Sequence, residues 1–270
     1  MFLFSRFSPR ATTQTGLLAA LCLSVAACST VATQEGSLIP DQTNQVSSQD
    51  GAFTQAQKYM RNKPACQTNC PRFGMDSLVF PGRPALTQAA QQALIAQASA
   101  DLGLKNIQSL EQLEQAYWNQ AGSRDELLLA SRTPYRNAAL TVVELSSYYY
   151  PTSAAHGMTQ IQYLNWDNRE NRAISLKDML VPGQQNAFDA LLRQAHQVWL
   201  QSSEDAQQDP NGFVRMWPFK PSNNVGFSDQ GLLVKYNSYE IAPYSAGQPT
   251  LLIPYQQLRT VLRPAYLPAS

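Results

Sequence analysis

The chain has 270 residues, with 20 Lys and Arg against 19 Asp and Glu and a formal net charge of +1. Hydrophobic residues make up 44%, enough for a core, while charged residues make up only 14% against about 25% in an average globular chain. The balance excludes the basic stripe of a nucleic-acid binder and a polybasic membrane patch.

The first 27 residues read as a targeting segment. Arg6 and Arg10 supply the positive region, and Gly16 to Ala27 is an apolar run too short to span a bilayer. The run ends in Val25-Ala26-Ala27-Cys28, small residues before a Cys, as in the bacterial lipoprotein signal. Cleavage before Cys28 and lipidation of its thiol are expected, giving a membrane anchor. Ser29, rather than Asp, follows Cys28. That pattern directs a lipoprotein to the outer membrane, facing the periplasm of a Gram-negative envelope. Loss of Arg6 and Arg10 leaves 18 bases against 19 acids.

Residues 28–62 are rich in Ser, Thr, Gln and Asn without an apolar period, and are expected to be a flexible tether. Structure is expected from about Cys66. Cys66 and Cys70 lie four apart in an oxidising compartment, which favours a local disulfide over half a metal site. A metal site needs about four ligands, and the chain adds only His156 and His196. No metal and no cofactor are expected.

Asp76–Pro81 reads as a short strand, and residues 85–102 as a helix with a 3.6-residue apolar period. Ser109, with Gln112 three residues on, is a capping-box start for a helix through Trp118. Residues 126–132 and 138–150 read as strands around a turn at 133–137, and 158–166 as another strand. Residues 187–200 form an amphipathic helix. Residues 213–219, 225–228 and 231–237 read as strands, and 253–262 as a closing helix. Strands and helices do not alternate regularly. The expected class is α+β, with mixed, mainly antiparallel sheets and packed helices in two closely associated subdomains.

Catalytic signatures are weak. There is no Gly-x-Ser-x-Gly elbow, Walker loop or Gly-x-Gly-x-x-Gly, so no enzyme activity is expected. His196 lies mid-helix, solvated or packed. His156 sits in the loop Ser153-Ala-Ala-His-Gly157, where it contacts a ligand or bonds the loop backbone. The most distinctive stretch is Leu233 to Gly247. It carries Tyr236, Tyr239, Glu240, Pro243 and Tyr244, and Tyr255 follows. Tyrosines suit binding surfaces, though they also cap core edges. Glu240 is a paired structural acid or a contact.

Ala155-His156-Gly157, Tyr163-Leu-Asn-Trp-Asp, Ile174-Ser-Leu-Lys-Asp-Met-Leu180, Tyr236-Asn-Ser-Tyr-Glu-Ile-Ala-Pro-Tyr-Ser-Ala-Gly-Gln-Pro249 and Ile253-Pro-Tyr resemble the RsiV-type extracellular domain, DUF3298, over residues 146–264. Residues 63–145 look like its companion DUF4163 region of the PdaC/RsiV kind, and 265–270 are left as a tail. The resemblance implies an envelope-facing binding module. In RsiV-type anti-sigma factors this region is a lysozyme receptor. In PdaC-type deacetylases it accompanies a separate catalytic domain. The chain shows neither a transmembrane and sigma-binding segment nor a deacetylase domain. The expectation is therefore a non-enzymatic lipoprotein binding a lysozyme-type muramidase or peptidoglycan, with ligand candidates His156, Gly157, Tyr236, Tyr239, Glu240, Pro243 and Tyr244. The alternatives are a peptidoglycan hydrolase using His156, or a structural envelope-assembly lipoprotein. Residues 151–270 carry nine acids and nine bases, so no net field favours a basic partner unless an acidic patch is local.

Overall fold

A computed structural model describes residues 54–268. The signal segment, Cys28 and the tether up to residue 53 lie outside the described residues.

Strands β1 (Gln55–Asn62), β2 (Arg72–Val79), β3 (Glu126–Arg136), β4 (Leu140–Tyr150), β5 (Met158–Asp167) and β6 (Arg172–Ile174) form one sheet in that order. All neighbours are antiparallel except β2 and β3. That parallel pair needs a crossover. It is supplied by helices α1 (Pro84–Asp101) and α2 (Leu110–Gln120). A second, three-stranded antiparallel sheet holds β7 (Val225–Phe227), β8 (Gly231–Lys235) and β9 (Thr250–Pro254). The class is α+β with mainly antiparallel sheets, as the sequence indicates.

Local chemistry sets the helix ends. Pro84 occupies the first turn of α1, where its missing N–H costs nothing. Gly103, at φ +66°, takes the left-handed conformation just past its end. Ser109 Oγ accepts from the Gln112 N–H, and Gln112 Oε1 accepts from the Gln108 N–H, so α2 starts where the capping pattern places it. Helix α3 (Leu176–Met179) carries a full capping box from Ser175 and Asp178. Helix α4 (Gln185–Ser202) buries Phe188, Leu192 and His196.

Two cores lie on opposite faces of the large sheet. The β4 residues Val142 and Val143 are both fully buried, one in each core. Phe73, Leu94, Leu113, Tyr117 and Leu145 fill the core under α1 and α2. Phe188, Leu192, Phe227, Val234 and Ile253 fill the core under α4 and the small sheet. The subdomain boundary expected between residues 145 and 146 falls inside β4. The division follows the two faces of one sheet, not the order of the chain.

Other expectations need correction. Residues 55–62 are not tether but an edge strand, paired in full register with β2. Its faces are largely exposed, so it lacks the apolar alternation that marks a strand. Lys58 pairs with Asp76, and Arg61 with Glu114. The β3–β4 turn lies at 137–139, not 133–137. The strand absorbs Pro134 through a register shift between Arg132 and Tyr135. Residues 213–219 are not a strand. Pro210–Met216 is helix α6, preceded by α5 (Glu204–Gln208). Asp209 caps α6 by accepting from the Gly212 N–H, and Pro210 opens it. The stretch 253–262 begins in β9, and only α7 (Tyr255–Leu258) is α-helical. The assigned tail is in part packed, since Tyr266 lies against Phe227 and Leu267 against the core.

Strand β6 covers only one end of β5. Further along, side chains close the open edge. Asn224 Oδ1 accepts from the Tyr163 N–H, and its Nδ2 donates to Ile161 O and Lys235 O. Asn237 Oδ1 accepts from the Ile161 N–H, and Gln248 Nε2 donates to Thr159 O. These bonds hold the segment from Asn237 to Gln248 beside the start of β5, where the His156 loop enters.

Candidate functional site

The site forms where the loop before β5 meets the loop after β8. The β8 loop is pinned from below by Ile241 and Ala242, both fully buried. Ala242 packs with Ala206 of α5 and Phe213 of α6. Above this anchor, Glu240 folds back and its Oε2 accepts from the Asn237 N–H at 2.7 Å. The turn carries Tyr239 at φ +69°, a left-handed conformation that bulky residues rarely adopt. Tyr239 is 44% exposed and Tyr244, in the following turn, 39%.

His156 lies against both. Its ring stacks on Tyr244 at 3.8 Å between centroids and lies 6.3 Å from Tyr239. Its Nδ1 is 3.1 Å from Gly157 O, and its Nε2 is 3.2 Å from the Tyr239 hydroxyl. A carbonyl oxygen only accepts, so Nδ1 donates to Gly157 O, while Nε2 and the Tyr239 hydroxyl share a second hydrogen bond. Tyr244 also donates to Gly157 O, at 3.3 Å. Gly157 is buried against Tyr148, and a Cβ there would run into the Tyr148 ring. The His-Gly pair thus works as a unit, with Gly lowering the loop onto Tyr148 and His meeting the two tyrosines. Burial first, then the charge of Glu126, pushes the Tyr148 phenol above its ordinary range, so it stays neutral.

The structure separates the candidates. His156, Gly157, Tyr239 and Tyr244 come together. Tyr236 does not join them. It is 1% exposed, donates to Lys220 O, and belongs to the core. Burial pushes its phenol up. Its place was legible, because Tyr236 continues the inward alternation of Leu232 and Val234. Glu240 is a turn staple, and Pro243 precedes the 3₁₀ turn Tyr244–Ala246. Trp217, just after α6, was missed. Its ring lies 6.1 Å from Tyr239. No local signal marks it, since the contact depends on α6 folding against the loop. Cys66 and Cys70 are disulfide-bonded, 5.7 Å apart at Cα, far along the chain from this cluster.

His196 lies apart, 1% exposed between Trp199 and Phe219. Burial first, and the nearby Arg193 charge, hold its pKa below the ordinary 6.5. Among the described residues, no Ser, Thr or Cys side chain bonds His156, and no cluster of three or more His, Cys, Asp or Glu could hold a metal ion. Likewise, no helix is long and apolar enough to cross a membrane.

Residues 177–256 match the family described as "Protein of unknown function (DUF3298)". A DUF3298 family protein from Pseudomonas aeruginosa PAO1 is similar over 81% of this chain and 98% of its own, at 32% identity and a TM-score of 0.74. The chain belongs to the DUF3298 family. A second DUF3298 structure, from Bacteroides fragilis NCTC 9343, covers 78% of this chain and 94% of its own at 17% identity and a TM-score of 0.58, and shares the fold. No curated protein matches the chain. The DUF3298 match holds Tyr236, Tyr239, Glu240, Pro243 and Tyr244. His156 and Gly157 precede it, so the cluster joins the matched region to the sheet before it.

Proposed function

We propose that this DUF3298 protein is a non-enzymatic lipoprotein, anchored through Cys28 to the outer membrane and facing the periplasm. Its aromatic cluster binds peptidoglycan. The observation carrying the reading is the group of His156, Tyr239, Tyr244 and Trp217. Two of its rings are well exposed, on a loop fixed from below by buried Ile241 and Ala242. Exposed tyrosines on a rigid support suit binding, because little side-chain freedom is lost on contact. His156 is bonded to a phenol and a backbone carbonyl rather than to a nucleophile and an acid, which favours binding over hydrolysis by His156.

A lysozyme-type muramidase is the second ligand. It is favoured by the exposed acids Glu204, Asp205 and Asp209 on and beside α5, a local acidic group within the neutral whole. Ser245 Oγ donates to Asp205 at 3.4 Å, placing these acids beside the Tyr244 turn. The resemblance of residues 63–145 to DUF4163, and of the rest to the RsiV-type receptor domain, fits either ligand.

Co-sedimentation of the full chain, purified in detergent, with intact sacculi tests the proposal, alongside titration with lysozyme. Pelleting that is lost in Tyr244→Ala supports it. A chain that stays in solution with sacculi and gives no heat with lysozyme contradicts it. Incorporation of labelled palmitate, abolished by Cys28→Ser, tests the anchor.

A further inference from the structure

The loop that carries His156 is anchored at both ends. At its close, Gly157 rests on Tyr148, and its carbonyl accepts from the Tyr244 hydroxyl. At its start, Thr152 meets Asp125. The Thr152 N–H donates to Asp125 Oδ1 at 2.8 Å, and the Thr152 hydroxyl lies 2.9 Å from the same oxygen. That hydroxyl also meets Ser123 O. The other carboxylate oxygen accepts from the Gly122 N–H at 2.9 Å and from the Tyr149 hydroxyl at 3.3 Å. Asp125 is 6% exposed, and among the described residues it bonds none of His156, Tyr239 and Tyr244.

The carboxylate is offered from a fixed turn between α2 and β3. The Arg72 N–H donates to Asp125 O, and the Arg124 N–H to Asn69 O, each at 2.8 Å. Arg124 keeps φ +63°, a left-handed conformation that non-glycine residues seldom adopt. Backbone of that kind persists where its surroundings hold it, and it gathers beside functional elements. Burial alone would raise the Asp125 pKa, but the bonds from Thr152 and Gly122 outweigh it and hold the carboxyl below its ordinary range. The group is therefore an anion at neutral pH, and its bonds to the loop are of the stronger, charge-assisted kind.

We propose that Asp125 is a positioning residue for the candidate site: it fixes the start of the 151–157 loop and so holds His156 in register with Tyr239 and Tyr244, without touching the ligand. The inference rests on the proposed binding role and deepens it, naming a residue outside the cluster that sets the cluster's shape. Between Thr152 and His156 the loop holds itself poorly. Ser153 and Ala155 are exposed, and the Ala154 N–H donates to Pro151 O, a bond that folds the loop on itself and ties it to nothing else. Without the carboxylate, the placement of His156 falls mainly on Gly157.

The test follows the chain's two histidines by NMR, in the full chain purified in detergent, with sacculus co-sedimentation alongside. The Tyr244 ring, 3.8 Å from the His156 ring, shifts the His156 ring-proton resonances, and buried His196 is the internal control. Asp125→Ala is expected to move the His156 resonances towards those of an unstacked ring and to leave those of His196 in place. If the stacked register is then populated about a tenth of the time, sacculus affinity falls by the same factor. Asp125→Asn keeps an acceptor for Thr152 and should restore most of both. Thr152→Val removes the hydroxyl alone. It should shift His156 in the same direction by less, and it carries the test if Asp125→Ala fails to fold. Parent-like His156 resonances in the folded variants overturn the inference. So does undiminished pelleting of a variant whose His156 has moved. If the parent never pellets but Asp125→Ala still moves His156, the peptidoglycan reading falls and the placement of His156 by Asp125 stands.

Discussion

His156 and Tyr244 stack face to face, with ring centroids 3.8 Å apart and planes 21° from parallel. The contact ties the loop before β5 to the turn after β8. Tyr244 donates to the carbonyl of the neighbouring Gly157, so the stack and the hydrogen bond reinforce one another.

Gly157→Ala tests that junction. Its Cβ would meet the Tyr148 ring, so the loop must rise or Tyr148 must move. Overpacking of this kind costs about 1–3 kcal/mol. Urea unfolding should show a loss of that size, and His156 should lose its register with Tyr244. An unchanged midpoint would show that the loop has slack.

Glu240 separates staple from contact. Glu240→Ala removes the acceptor for the Asn237 N–H and should cost about 1–2 kcal/mol. It should also weaken ligand binding, because the Tyr239 turn loosens. Glu240→Gln keeps an acceptor and should restore most of both. A Gln variant that binds as poorly as Ala, at full stability, would make Glu240 a direct ligand contact.

His196 predicts a pH dependence. Its folded pKa is lowered, so the unfolded chain takes up the proton more readily. Its contribution to stability is therefore intact above about pH 6.5 and is lost as pH falls below that value, levelling off below the folded pKa. Neither ring nitrogen has a hydrogen-bond partner, so His196→Phe should be tolerated at pH 7.5 and should flatten the melting-temperature profile between pH 7 and pH 5. Parallel profiles for parent and variant would contradict this.

Local signals carried much of the fold. Ser109 with Gln112 marked α2, alternation marked β5, residues 225–228 and 231–237 read as the strands β7 and β8, and the spacing of Cys66 and Cys70 fitted the bond they make. Where the signal was tertiary, the sequence misled. β1 is exposed on most of its length and so has no apolar stripe to betray it. In residues 213–219 the apolar residues imitate a strand. Yet only Phe213 of α6 is buried, while Val214 and Met216 stand in solvent at 41% and 72% exposure. The cap at Asp209-Pro210 was the better guide. The candidate site was legible in its residue types but not in its pairing. Tyr239 and His156 lie 83 residues apart, and Trp217 reaches them only through α6. Tyr236 and Tyr239, three residues apart in one motif, have opposite environments, because one faces the core and the other tops a turn.

The most direct measurement is co-sedimentation of the full chain with purified sacculi, comparing the parent with Tyr239→Gly at equal folded stability. The account predicts that the parent pellets and the variant stays in solution. Equal pelleting of both, or pelleting of neither, would contradict it.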